Sequence, residues 1–482
     1  MQSAVLLKAN LLVFSCAIFI CSSNLYAAPR YPNGFLWGVS MSAHQTEGAF
    51  EGGENSDWWN FEREQENDSP RANGTNADIA ANHWNLYEHD ITLAKEIGIN
   101  SIRTSVAWEK IQPTPTSFNP RAIEHYRNVL IKMKEHGIRP IITLHHFTNP
   151  NWFHLMGGWL SPDSPRIFLK YAKYVVSNLG DLCDVWITFH EPLNFVLQAY
   201  VSGDVPPHLK SVDAGYEAAF QLARAHRIVA QMIHDLQGYS PGAHGPGGRL
   251  KGVGLAIGAQ YYEPYNQKSK KDQLATETIT DLMNWAFVRG ITKGKLEFRI
   301  PDEVDGVKSF ERKLPSQDLP PWDVGPSLDW LGLNYRSRYK VKYDATGPFK
   351  AKVFNTGNPV IEDKLEIYPQ GLEKIIRQAA RRFVYPIVIT GNGIADSKDF
   401  VRPFFLKKHL ESLDAAVFGS TKSYPIDVRG YLHWTLLDGF EWLAGYKHKY
   451  GLIEVDYNLP SLPRRMRTSA QIYTAKINDA SR

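Results

Sequence analysis

Residues 383–397 read FVYPIVITGNGIADS. An apolar run rich in β-branched side chains, Ile387-Val388-Ile389-Thr390, breaks off at Gly391-Asn392-Gly393. The pattern is that of a buried strand running into a turn, with glycines able to supply positive φ. From these residues alone Gly391 has two readings. It is a turn residue, or it marks a missing side chain where chemistry is expected.

Working outward, the same pattern recurs along the chain. The other strand-like runs are FLWGVS (35–40), SIRTSVAW (101–108), IRPIITLHH (138–146), DVWITFHEP (184–192), VGLAIGAQYYEP (253–264), DWLGLNY (329–335) and VRGYLHWTLLD (428–438). Amphipathic segments such as RAIEHYRNVLIKMKEHG and SPRIFLKYAKYVVSNLG lie between them, with apolar residues at three- and four-residue steps and a closing glycine. Eight strand–helix units predict an α/β protein with a single (β/α)8 barrel, the TIM barrel, rather than an open sheet. The long Gly-, Pro- and polar-rich stretches 48–80, 239–252 and 300–328 are expected over one barrel face.

Polar and aromatic residues gather at the ends of these runs: Gln45, Arg103, His145-His146, His190-Glu191, Tyr261-Tyr262-Glu263, Asn334-Tyr335-Arg336 and Trp434. Strand C-termini are where such a barrel builds its active site. Any one of these residues reads equally as a satisfied buried polar group. Together they read as a polar pocket.

Composition narrows the ligand. The net charge of +4 is spread without long basic blocks, which gives no footprint for nucleic acid or an acidic membrane surface. The 13 Trp and 23 Tyr supply many flat apolar faces, which suit the walls of a sugar pocket. At the N-terminus, Lys8 precedes an eleven-residue run from Leu11 to Cys21, followed by short polar residues and Ala27-Ala28. That run is short for a bilayer span and fits the core of a signal peptide. The expected organisation is a signal peptide over residues 1–27, a barrel domain over 31–478, secretion to a periplasmic or extracellular space, and no stable membrane span after cleavage. Cleavage would remove Cys16 and Cys21, so Cys183 has no intrachain disulfide partner. Asn67 and Asn73 sit in N-glycosylation acceptor triplets.

The motifs SAHQTEG, NHWNLYEHDITLAKEIGINSIRTSVAWEKI, TLHHFTNP, TFHEP, LGLNY, ITGNG and WTLLDGFEW occur in this order over almost the whole mature chain. They resemble glycoside hydrolase family 1, the β-glucosidase and β-galactosidase family. In that family two carboxyl groups about 5–5.5 Å apart flank the glycosidic bond, one as acid/base and one as nucleophile. The resemblance makes Glu191 the acid/base. It puts Gly391 where the family's ITENG carries the nucleophile glutamate.

By the same resemblance Gln45, His146, His190, Asn334, Trp434 and Glu441 contact the sugar, Trp442 forms a wall, and Arg103 lies beneath the nucleophile position. Glu441 argues against a sugar phosphate, which a carboxylate would repel. His190 replaces an asparagine, Arg336 replaces the second tyrosine of NYY, and Gly439 replaces a polar residue. These departures surround the lost carboxylate and imply a remodelled site. The resemblance implies no cofactor and no metal. It implies a neutral β-glycoside or other carbohydrate ligand, with a further anion near Arg336. The expected activity is weak or altered hydrolysis or transglycosylation; the alternative is a non-catalytic carbohydrate-binding protein.

Overall fold

A computed structural model describes residues 31–481 except 67–68, 71–73, 240–247, 303–305, 316–326, 358–360 and 421–422. The signal-peptide stretch and the two glycosylation asparagines lie outside the described residues.

The eight runs form the eight strands of one closed parallel barrel. They are β1 (Leu36–Ser40), β2 (Ser101–Ser105), β3 (Arg139–His145), β4 (Val185–His190), β5 (Gly252–Gly258), β6 (Trp330–Asn334), β7 (Ile387–Asn392) and β8 (Val428–Trp434). Each strand pairs with its sequence neighbours, and β1 closes the ring between β2 and β8. The helices that return the chain are α1 (His83–Glu96), α2 (Pro120–Glu135), α3 (Ser164–Leu179), α4 (Val212–Gln237), α5 (Ala286–Lys293), α6 (Gln370–Arg382), α7 (Arg402–Phe418) and α8 (Thr468–Ala480).

Local sequence explains the elements. In α2, Asn119 accepts hydrogens from the backbone N–H groups of Arg121 and Ala122, and Pro120 supplies a preset φ at the first turn. Its buried face is Ala122, Ile123, Tyr126, Val129, Leu130 and Met133, the helical spacing read from the sequence. Burying each of Ile123, Val129, Leu130 and Met133 stabilises the fold by about 1.5–3 kcal/mol. Gly137 ends α2 in the left-handed region, whereas Gly180 after α3 keeps a helical φ of −70°. A Cβ at Gly180 would lie 2.4 Å from the Gln237 side chain, so close approach explains that glycine.

Inside the barrel, Leu36, Ile141, Val185, Ile187, Trp330, Val388 and Leu432 form a separate apolar plug. Gly254 on β5 makes room for the Trp330 ring, which a Cβ there would meet at 2.3 Å. Leu250 joins the plug from the segment before β5. Arg139 at the start of β3 and Arg429 near the start of β8 donate to the backbone oxygens of Leu250 and Gly248. The described residues 248–252 of the 239–252 stretch therefore lie at the N-terminal face, contrary to the sequence expectation of a single loop-covered face. The stretch follows a helix and precedes a strand, and such connections run to that face. The 300–328 stretch begins within an antiparallel hairpin, Lys295–Asp302 against Gly306–Lys313. The VGLAIGAQYYEP run also divides. Residues Tyr261–Pro264 leave the barrel and pair with Arg338–Tyr343, which pairs in turn with Ala351–Asn355. Glu263 there faces Arg338 and Lys340 rather than the centre of the barrel mouth.

Candidate active site

A cavity of about 740 Å³ opens at the C-terminal ends of the strands. Gln45, His146, His190, Glu191, Arg336, Trp434, Glu441 and Trp442 all line it. Asn334, Gly391 and Arg103 are buried but do not border it; they make the layer beneath.

Glu191 follows β4 with φ +44° and ψ 57°, a left-handed conformation that is costly for a glutamate. Its N–H donates to the Ala256 oxygen at 2.7 Å, and Pro192 then starts a short helix. The bend turns the carboxylate into the cavity. Oε1 accepts from Asn334 Nδ2 at 2.7 Å and Oε2 from Asn194 Nδ2 at 2.9 Å. Gly258 leaves room beside it, since a Cβ there would stand 3.1 Å from Oε2. Two amides and a fixed backbone hold this one carboxylate.

The β6–β7 register shifts after Leu333, so that Leu333 faces Ile389 and Asn334 faces Gly391. Such irregularities re-aim side chains near functional sites. Neither Gly391 nor Gly393 has a positive φ, so the expectation of a left-handed turn here is corrected. What Gly391 provides is the lack of a Cβ, which would lie 2.9 Å from Asn334 Oδ1. That oxygen also accepts from Thr390 Oγ1 at 2.7 Å. The asparagine amide thus occupies the space beside Gly391 and is engaged at both ends.

Arg103 lies deepest. Its Nε donates to Thr143 Oγ1 at 3.0 Å, Nη1 to the Thr390 oxygen at 3.1 Å, and Nη2 to His190 Nδ1 at 2.7 Å. Among the described residues it makes no ion pair. Burial pulls its pKa down to about 9, which still leaves it charged at neutral pH. Because arginine only donates, His190 Nδ1 must accept and its proton sits on Nε2. Burial, then the nearby His146, Arg103 and Arg336, push the His190 pKa well below the ordinary value, so the ring is neutral. It stacks on His146 with centroids 3.8 Å apart, and its Nε2 lies 3.8 Å from Glu191 Oε1.

Arg336 follows β6 and turns along the wall, donating from Nη1 to Tyr450 Oη at 3.3 Å. Tyr450 in turn donates to Asp363 Oδ2 at 2.8 Å. Burial disfavours the Arg336 charge, but Tyr450, Glu191, Glu441 and Asp363 outweigh it and hold the guanidinium protonated.

Across the cavity, Gln45 Nε2 donates to Glu441 Oε2 at 3.0 Å while Ser42 Oγ donates to Gln45 Oε1 at 2.8 Å. Burial pushes Glu441 up to about 8 against the opposing pull of Arg336 and Gln45. Glu441 is therefore mostly a neutral acid at neutral pH, and the charge-repulsion argument drawn from the sequence does not hold there. Trp442 stacks on His44 at 5.4 Å and packs against Trp58 at 4.5 Å. Gly439 is explained by packing, since a Cβ would meet the Gln45 backbone oxygen at 2.5 Å.

Sequence reading missed Asn194, Asp363, Tyr450, Tyr339 and Lys352, the last four of which line the cavity with Asn194. Only Asn194 carried a signal, its three-residue spacing from Glu191 on a helix start. Asp396, the first carboxylate after Gly391, accepts from the N–H groups of Val401 and Arg402 at the start of α7 and does not serve the cavity as a nucleophile. Among the described residues, no group of three or more His, Cys, Asp or Glu is arranged to hold a metal. No helix among them is long and apolar enough to cross a membrane.

A closed parallel barrel with a polar cavity at its strand C-termini makes this a (β/α)8 protein. Within that class the chain belongs to glycosyl hydrolase family 1, whose family model matches residues 27–481. It is 28% identical to a β-galactosidase of Pyrococcus woesei, over 88% of this chain and 93% of that one. It is 29% identical to β-glucosidase 4 of Oryza sativa subsp. japonica, over 92% and 94% of the two chains. Among solved structures, a β-glucosidase from Thermotoga maritima in complex with glucoimidazole superposes with a TM-score of 0.79 at 25% identity, covering 94% of this chain and 99% of that one.

Proposed function

We propose that this protein is an exported family 1 β-glycosidase-like protein that binds a β-glycoside in the strand-end cavity, with Glu191 as acid/base and no nucleophile. One observation carries the reading. Glu191 is held at the cavity wall by two amides, while the β7 position facing Asn334 is a glycine. The β-glucosidase complex with glucoimidazole supports a small sugar-like ligand in this cavity. The N-terminal Lys8 and Leu11–Cys21 pattern supports export.

In this reading Glu191 gives its proton to the glycosidic oxygen, which leaves as the alcohol. Water attacks the anomeric carbon from the opposite face and its proton passes to solvent. Without a carboxylate to form a glycosyl-enzyme, turnover is slow and yields inverted product. Gln45, His146, Trp434 and Glu441 hold the sugar hydroxyls, and Trp442 stacks on a ring face.

A second reading, carbohydrate binding without turnover, is favoured by Asn334, which fills the space where an attacking group would lodge. An aryl β-glucoside assay with and without added formate or azide separates the two. Release that rises with the anion supports a working acid and a reachable anomeric carbon. Sugar binding with no release under any condition supports the second reading. No binding of any β-glycoside would overturn both.

A further inference from the structure

One guanidinium in the cavity wall, Arg336, and one in the layer beneath it, Arg103, have no carboxylate within direct contact among the described residues. Arg103 is fully buried, and among the described residues its hydrogen bonds go to a hydroxyl, a backbone oxygen and a neutral imidazole. A buried cation with no counter-charge is costly, and the cost falls when an anion approaches. Arg336 lines the cavity and gives one side-chain hydrogen bond, from Nη1 to Tyr450. Among the described residues, its Nε and Nη2 make none and it forms no ion pair.

The carboxylates in the cavity wall act on these charges only through space, and among the described residues none is hydrogen-bonded or ion-paired to either guanidinium. Both oxygens of Glu191 take amide hydrogens, and Asp363 takes the Tyr450 hydroxyl. Glu441 is engaged with Gln45, and burial keeps it mostly protonated below about pH 8. Lys352 adds a further cation to the wall. Directly beside Gly391 there is no seat for a free anion, because Asn334 fills that space and Gly391 does not border the cavity. The anion therefore has to arrive from the cavity side, on a ligand the cavity already fits.

We propose that the cavity takes a β-glycoside whose sugar carries a carboxylate, a hexuronide, with that carboxylate seated on the Arg336 fork above the buried Arg103 charge. The planar fork matches a carboxylate in a bidentate contact, which a neutral sugar cannot offer. This rests on the carbohydrate-binding reading above and names its ligand class.

The test is calorimetric titration of the full chain with methyl β-D-glucuronide, methyl β-D-glucoside and acetate. Wild type, Arg336→Gln and Arg336→Lys are compared, with circular dichroism to verify folding. The glucuronide is expected to bind about tenfold or more tightly than either other probe. Arg336→Gln should bring the two sugars near parity, and Arg336→Lys should keep part of the preference. A glucoside that binds as well as the glucuronide to wild type overturns the inference and leaves the carbohydrate-binding reading standing. So does acetate that matches the glucuronide, which would mark a free-anion site, or a preference that persists in folded Arg336→Gln. If the Gln variant does not fold, the wild-type preference and the Lys variant decide. Binding of neither sugar overturns the carbohydrate-binding reading itself, and this inference with it.

Discussion

On the β1–β8 side of the cavity, Gln45, Trp434, Glu441 and Trp442 form a wall in which Gln45 is bonded to Glu441 and the one carboxyl is mostly neutral. On the β4–β6–β7 side, His190, Glu191, Asn334, Arg336 and Gly391 surround an excess of positive charge with amides and an imidazole. The first side has the chemistry of sugar hydroxyl recognition, and the second is where a bond would be broken. In the proposed reading, holding a sugar and cleaving it fall to different strands, so that one could be rebuilt while the other is kept.

The largest expected effect tests whether the second side still breaks bonds. Glu191→Gln should lower hydrolysis of any β-glycoside the wild type turns over by about 10²–10⁴-fold. Sugar affinity, measured by titration, should change far less. Retained turnover in this variant would place the acid elsewhere and erase the contrast between the two sides.

Next in size is repair of that side. Gly391→Glu alone should restore little kcat/KM on an aryl β-glucoside. Its Cβ would press on Asn334, which holds Glu191, and its carboxylate would pair with Arg336. Adding Arg336→Tyr and His190→Asn should raise the rate at least about tenfold above the single variant, because the residues act as a unit. A single variant that equalled the triple would show that only the nucleophile had been lost.

Glu441→Gln probes the first side through pH. The Glu441 carboxyl keeps its proton up to about 8, whereas the unfolded chain releases it near 4.5. Wild-type stability from this group is therefore full below about 4.5 and declines as pH rises toward 8, by an order of a few kcal/mol. Glutamine cannot ionise, so the difference in Tm between pH 5 and pH 8 should shrink in the variant. The groups facing Glu441 are Gln45, Trp434, Arg336 and Asp438. An unchanged pH dependence would mean that the wall carboxyl is charged like an ordinary glutamate.

The smallest effect compares the two glycines directly. Gly439→Ala should cost about 1–3 kcal/mol in urea unfolding, since its Cβ meets the Gln45 backbone. Gly391→Ala presses on the Asn334 amide at 2.9 Å, a smaller overlap with a side chain rather than backbone, and gains from a stiffer unfolded chain, so it should cost less than Gly439→Ala. The reverse order would mean that the floor is the more rigid side.

The barrel was legible because each strand had its own apolar run, and β-branched residues fitted no other element as well. The cavity-lining motifs were legible as a set at strand ends. The 239–252 stretch was misplaced because composition marks a loop without saying which face it serves; the order helix–loop–strand carries that information. Tyr261–Pro264 continued an apolar run across a strand end, and nothing local signalled the change of sheet. Asp363 and Tyr450 reach the cavity from distant segments, so only tertiary contact brings them to Arg336. Gly391 was read as a turn glycine or a missing carboxylate, but its backbone is ordinary, and its meaning lies in the Asn334 amide beside it.

That amide has a consequence for ancestry. Glycine and glutamate codons can differ by one nucleotide, so a lone reversion at position 391 is always close at hand. With Asn334 beside the glycine and bonded to Thr390 and Glu191, a glutamate introduced at 391 would have to displace an amide engaged at both ends. Lineages that crossed this point would find no gain in stepping straight back. If the proposed loss of the nucleophile holds, the site would act as a ratchet, with descendants differing from one another around Gly391 more often than at it.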